Sequence, residues 1–124
     1  MKRAILVVVV LAGVASALGA SAFGSRKVTT VTLVGTVGPG FTINLKAGGK
    51  NLARLKAGTV TFVIHDRASI HAWSLDGPNG FAKDLTTVPF VGTKTVTLKL
   101  KAGKYKFYCP PHEPTMFGHF QVVA

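Results

Sequence analysis

The chain holds one cysteine, one tryptophan, two methionines and four acidic residues among its 124. A single cysteine, Cys109, excludes an internal disulfide framework. So few carboxylates leave no visible acid–base pair and no second cluster of metal ligands, which argues against an enzyme. Repeats, low-complexity tracts and internal linkers are absent, and almost no stretch shows a helical period. Gly48-Gly49-Lys50 lacks the spacing of a phosphate-binding loop. What remains is a short, basic, Gly-punctuated chain with alternating apolar residues.

The N-terminus reads as a processing segment. Lys2 and Arg3 precede an uncharged apolar run from Ala4 to Leu18, and Ala20-Ser21-Ala22 supplies the small residues that a signal peptidase reads. This predicts a signal peptide over residues 1–22, cleaved before Phe23. The alternative is an uncleaved anchor, since the run up to Phe23 approaches the roughly 20 residues that span a bilayer. Either way the folded part, residues 23–124, is exported to a periplasmic, extracellular or envelope-associated location. Its 102 residues suffice for one small domain with one core. Without Lys2 and Arg3, 13 basic residues face four acidic ones, a net charge of about +9. Such an excess implies an anionic partner or surface. Nucleic acid is not expected outside the cell, and the lysines are spread singly along strands and turns. An acidic protein partner or an anionic envelope surface fits better.

Period-two alternation predicts strands. Val28–Val34 is β-branched and reads as the first. Phe41, Ile43 and Leu45 alternate with Thr42, Asn44 and Lys46. A short edge segment carries Leu52 and Leu55, and Thr59–His65 is a nearly continuous apolar strand. Ile70–Leu75 follows, then the turn Asp76-Gly77-Pro78-Asn79-Gly80 and an irregular stretch from Phe81 to Gly92. Thr93–Leu100, Tyr105–Cys109 and Gly118–Val123 complete the set. Seven or eight short strands of this kind predict an all-β domain, an antiparallel Greek-key sandwich.

A lone thiol kept in an exported chain needs a reason, and its neighbours supply one. Cys109, His112 and Met116 form a C-x2-H-x3-M pattern on one Pro-rich loop between two strands. A thiolate, an imidazole and a thioether suit a soft, redox-active metal. A Cys with two His and a long axial Met is the ligand set of a blue copper site. The second His must come from elsewhere. His71, set in Ser-Ile-His-Ala-Trp, is the better candidate; His65, beside Asp66 and Arg67, is the rival. His119 points away from Phe120 on the last strand and reads as exposed.

The segment Gly103-Lys-Tyr-Lys-Phe-Tyr-Cys-Pro-Pro-His112 resembles the G-x-Y-x-F-Y-C-x-P-H run of the plastocyanin-like branch of the cupredoxins, the blue copper proteins. Met116-Phe-Gly-His-Phe-Gln-Val resembles that family's ending, and Phe62–Trp73 looks like the strand pair carrying its first copper His. The resemblance implies one type 1 copper held by His71, Cys109, His112 and Met116, with electrons passing through the His112 edge. Two departures stand out. Three residues, not four, separate His112 from Met116, and Ala72 replaces a common Asn, leaving only its backbone N–H for the Cys sulfur.

These readings predict a monomeric, exported blue copper protein that shuttles single electrons between redox partners. The alternative is an extracytoplasmic copper carrier or storage protein using the same ligands. With only Met1 and Met116, the extra thioethers that favour an exchangeable cuprous site are missing. An adhesion module would leave the Cys, His and Met spacing unexplained.

Overall fold

The computed structural model describes residues 30–124, so the expected signal segment lies outside the described residues. Ten strands run β1 Val31–Val37, β2 Ile43–Ala47, β3 Lys50–Asn51, β4 Arg54–Lys56, β5 Gly58–Asp66, β6 Ser74–Asp76, β7 Ala82–Asp84, β8 Gly92–Leu100, β9 Gly103–Tyr108 and β10 Phe117–Val123. Single 3-10 turns occupy Pro78–Gly80 and Pro110–His112. The count exceeds the expected seven or eight because β3, β4, β6 and β7 are only two or three residues long. A strand that short leaves no alternation to read.

Two five-stranded sheets face each other, ordered β3-β2-β1-β5-β8 and β4-β10-β9-β6-β7. Most neighbours are antiparallel, but β1 runs parallel to β5, with Val31 opposite Val60 and Val37 opposite Asp66. β4 likewise runs parallel to β10. The sandwich is therefore mixed and not purely antiparallel. The expected first strand is also displaced: Val28 precedes the described residues, and pairing continues to Val37.

Leu33, Val37, Leu45, Val60, Phe62 and Ile64 from the first sheet meet Trp73, Leu75, Tyr105, Phe107, Phe120 and Val122 from the second side. Burying side chains of this size stabilises the fold by about 1.5–3 kcal/mol each before chain entropy is counted. Trp73 stacks on Phe107 with ring centroids 5.5 Å apart, and its indole N–H donates to the Asn44 carbonyl across the sandwich at 3.2 Å. Gly35 makes room for it. A Cβ there would lie 2.6 Å from Ile64 and 3.0 Å from the indole nitrogen. All these core residues and both described sheets lie within 30–124, so a chain that starts at Phe23 retains them.

Strand registers define two ends. At one, β1, β5 and β9 finish while β2, β6, β8 and β10 begin, so the connections 38–42, 67–73, 85–91 and 109–116 gather there. At the other, β4 turns into β5 and β8 into β9, and the chain enters β1.

Candidate metal centre

The loop after β9 is shaped by its prolines and by four backbone hydrogen bonds. Pro110 and Pro111 open the 3-10 turn, where a missing N–H does no harm and a fixed φ helps. His112 N–H donates to the Cys109 carbonyl at 2.9 Å, and Thr115 and Met116 N–H donate to the His112 carbonyl at 3.1 and 2.9 Å. Cys109 N–H closes the loop on the Met116 carbonyl at 3.0 Å. Two successive tight turns thus convert the C-x2-H-x3-M spacing into one compact cluster.

His71 arrives from the connection 67–73. A strand was expected over Ile70–Leu75, yet β6 begins only at Ser74. Local bonds hold the connection instead. Ala68 N–H donates to the Asp66 carboxylate at 3.3 Å, and His71 N–H to the Ala68 carbonyl at 3.2 Å. Trp73 N–H donates to the Thr86 hydroxyl at 2.9 Å. His71, Ala72, Trp73 and Ser74 are all buried, without the in–out alternation of a strand that faces solvent on one side. Gly38 passes so close that a Cβ on it would come within 3.0 Å of the His71 ring, and its φ of +72° suits glycine.

His71 Nδ1, His112 Nδ1 and Cys109 Sγ converge. The two nitrogens lie 3.2 Å apart and each is 3.7 Å from the sulfur. Donors bound trigonally to one ion at about 2.0 Å for nitrogen and 2.3 Å for sulfur would lie about 3.5 and 3.7 Å apart, close to this triangle. His71 and Cys109 are fully buried, whereas His112 is half-buried. Ala72 N–H donates to the Cys109 sulfur at 3.4 Å, the bond left to it by the missing Asn side chain. His71 Nε2 and Asp66 Oδ2 are buried without a protein partner. The trio fits the ligand set of a type 1 copper site in donor type, spacing and burial.

Of the other expected site residues, Met116 is fully buried on the ligand loop. His65 stands apart, its Nδ1 2.9 Å from the Thr93 hydroxyl across the β5–β8 pair. His119 is exposed on β10 against Phe117. Sequence reasoning missed the role of Phe41. It was placed in the inward alternation of β2, but it lies in the preceding connection, 62% exposed. Its ring stands edge-on to His71 and His112, with centroids 5.4 and 4.9 Å away. An aromatic after Gly38-Pro39-Gly40, outside any paired strand, was the available signal.

Around His112 the surface is apolar: Phe41, Ile70, Val88 and Phe117 are all exposed, as are Pro110 and Pro111. Lys106 and Glu113 pair at 2.8 Å beside it. Tyr108, just before Cys109, donates to Asp76 at 3.1 Å. Burial first, then that bond and the charges of Asp76, Glu113 and Asp84, push its hydroxyl up to about 12.

No protein-family model and no curated protein matches the chain. Solved structures do. The copper protein rusticyanin is 21% identical with a TM-score of 0.56, over 76% of this chain and 78% of that one. Reduced rusticyanin gives 22% and 0.54, over 76% and 79%. Auracyanin A, a "blue" copper protein from the green thermophilic photosynthetic bacterium Chloroflexus aurantiacus, gives 22% and 0.52, over 76% and 99%. The fold of this chain is that of the cupredoxins, the blue copper proteins.

Proposed function

We propose that this domain is an exported type 1 copper protein that carries single electrons between redox partners. The observation that carries the proposal is the convergence of His71, Cys109 and His112 within a cupredoxin fold. Copper bound there supplies a one-electron couple and an intense thiolate charge-transfer absorption. Cys109 would bind as the thiolate, and the Ala72 N–H donates to its sulfur at 3.4 Å. His71 would be the buried ligand, and Met116, also buried on the ligand loop, would add a weak thioether donor. His112 is half-buried, with the exposed Phe41 ring edge-on to it and the exposed Phe117 on the strand that follows the loop. A rigid sandwich that fixes the ligands before the metal arrives keeps rearrangement between oxidation states small.

A redox partner docks on the apolar rim around His112. The basic excess anticipates an acidic partner, yet beside His112 Glu113 pairs with Lys106, and Asp76 and Asp84 lie near Tyr108. Docking there rests on apolar contact, with charge acting only at long range.

The test is to load purified protein with copper, oxidise it and record the visible spectrum. An intense band that bleaches on reduction, with rapid electron exchange between redox partners, supports the proposal. The same band with copper passing to an acceptor chelator faster than electrons exchange would make the domain a copper carrier. No band would overturn the type 1 assignment.

A further inference from the structure

The basic residues are not distributed evenly over the sandwich. Lys50, Arg54, Lys56, Lys99, Lys101 and Lys104 are all exposed and lie toward the end opposite the metal centre. Register places them there: Lys99 pairs with Thr59 near the start of β5, Lys104 with Gln121, and Arg54 and Lys56 with the end of β10. The acidic residues lie elsewhere. Asp66 closes β5 at the metal end, Glu113 is on the ligand loop, and Asp76 and Asp84 flank Tyr108. Among the described residues the one ion pair is Lys106–Glu113, so none of these six cations is neutralised by a carboxylate.

Two further features mark this end. A cavity of about 270 Å³ opens between β8 and the Pro78–Gly80 turn, lined by Lys99, Lys101, Asn79, Phe81 and Tyr105. Two exposed lysines on the rim of one cavity suit a phosphate ester. The chain also enters β1 at this end, where Val31 lies opposite Val60.

We infer that this basic end rests on an anionic phospholipid surface, with Lys99 and Lys101 receiving a lipid phosphate, so that the metal centre faces away from the membrane. Strand β5 spans nine residues, which sets the ligand loops roughly 26 Å from the lysines. That exceeds the Debye length of about 8 Å at physiological salt, leaving partner docking outside the field of the bilayer. Each basic residue near an anionic leaflet raises partition about fivefold, and a surface of this size needs no lipid anchor to bind measurably.

The inference does not depend on copper, and metal-free protein starting at Phe23 serves for its test. It is mixed with vesicles of phosphatidylcholine alone, or with about a third phosphatidylglycerol, and sedimented at low and high salt. Binding is expected only to the anionic vesicles and is released by salt. Lys99→Glu/Lys101→Glu/Lys104→Glu should weaken it roughly a hundredfold or more. Arg67→Glu/Lys83→Glu/Lys94→Glu, an equal charge change on the metal-side half, should weaken it far less. Circular dichroism confirms that each variant is folded. Equal losses in the two triple variants would mean that net charge alone acts, and would overturn the assignment. No binding to anionic vesicles would also overturn it, as would capture of polyglutamate through these lysines without vesicle binding, the sign of a protein-docking surface.

Discussion

Replacing Cys109 by serine separates metal holding from folding. In the metal-free protein the change is small. The hydroxyl fills nearly the same buried space and can still accept from the Ala72 N–H, which the sulfur does at 3.4 Å. It can also reach toward the two imidazole nitrogens that lie 3.7 Å from the sulfur. Metal-free stability should therefore change by no more than about 1 kcal/mol. The copper-loaded comparison should differ greatly. A ligand that binds only the native state, present at 1,000 times its Kd, adds about 4.1 kcal/mol. For a domain of this size each kcal/mol moves Tm by about 4–8 °C, so copper should raise the wild-type Tm by roughly 15–30 °C. The serine variant should lose most of that rise together with the visible band, since a hydroxyl is a poor substitute for a thiolate. Paired thermal melts by circular dichroism, with and without copper, measure both quantities. A serine variant that kept the full copper-dependent rise would refute the reasoning, because the metal would then be held elsewhere.

Other substitutions probe the remaining parts of the site. His71→Ala should abolish the band, whereas His65→Ala and His119→Ala should leave it nearly unchanged in an absorption spectrum; the reverse pattern would reassign the remote ligand. Met116→Gln should retain copper but lower the reduction potential by voltammetry, because a harder oxygen donor favours the cupric state. Phe117→Glu should slow electron transfer to the physiological partner at both low and high salt without altering the spectrum, as stopped-flow mixing would show. Tyr108 offers a pH prediction. Its folded-state value of about 12 lies above the ordinary 10, so the native state retains a proton that the unfolded chain gives up. The stability linked to it is fully present below pH 10 and falls as pH rises from 10 to 12. Denaturant titrations should show wild type losing more stability than Tyr108→Phe across that window.

The ligand loop was legible because its chemistry is local. Cys109, His112 and Met116 lie within eight residues, and the prolines between them fix the turns. His71 was legible by elimination against His65, whose alternating burial in β5 marks it as a strand residue. The strands Thr59–His65 and Thr93–Leu100 matched β5 and β8 within one residue at either end. Less legible were features set by distant partners. The parallel pairing of β1 with β5 has no local signature, since alternation reads the same in either direction. Ile70–Leu75 looked like one strand because its apolar residues are dense, but Ala72 and Trp73 N–H bond to Cys109 and Thr86 and pairing starts only at Ser74. Phe41 looked inward-facing because the alternation of β2 can be extended backwards on paper, whereas pairing with β1 stops at Ile43.

Charge shows the same division between composition and placement. The excess of basic residues is plain in the sequence, and by itself it suggests steering toward an acidic redox partner. Topology redistributes that meaning. The β4–β5 and β8–β9 turns bring Lys56, Lys99, Lys101 and Lys104 to one end, while the loops at the other end hold the metal donors and apolar side chains. A field screened within about 10 Å at 0.1 M ionic strength acts on whatever touches the lysines and only weakly at His112. The two ends therefore need not share a partner. Apolar contact at the first suits brief docking, in which a protein must bind and leave. Dense like charge at the second suits a broad surface that supplies many phosphates at once. A soluble partner carrying enough acidic charge to engage the lysines would be drawn to the end farthest from the metal, which is the wrong place for electron exchange. An anionic membrane on that side turns the same attraction into an orientation that keeps the His112 edge free.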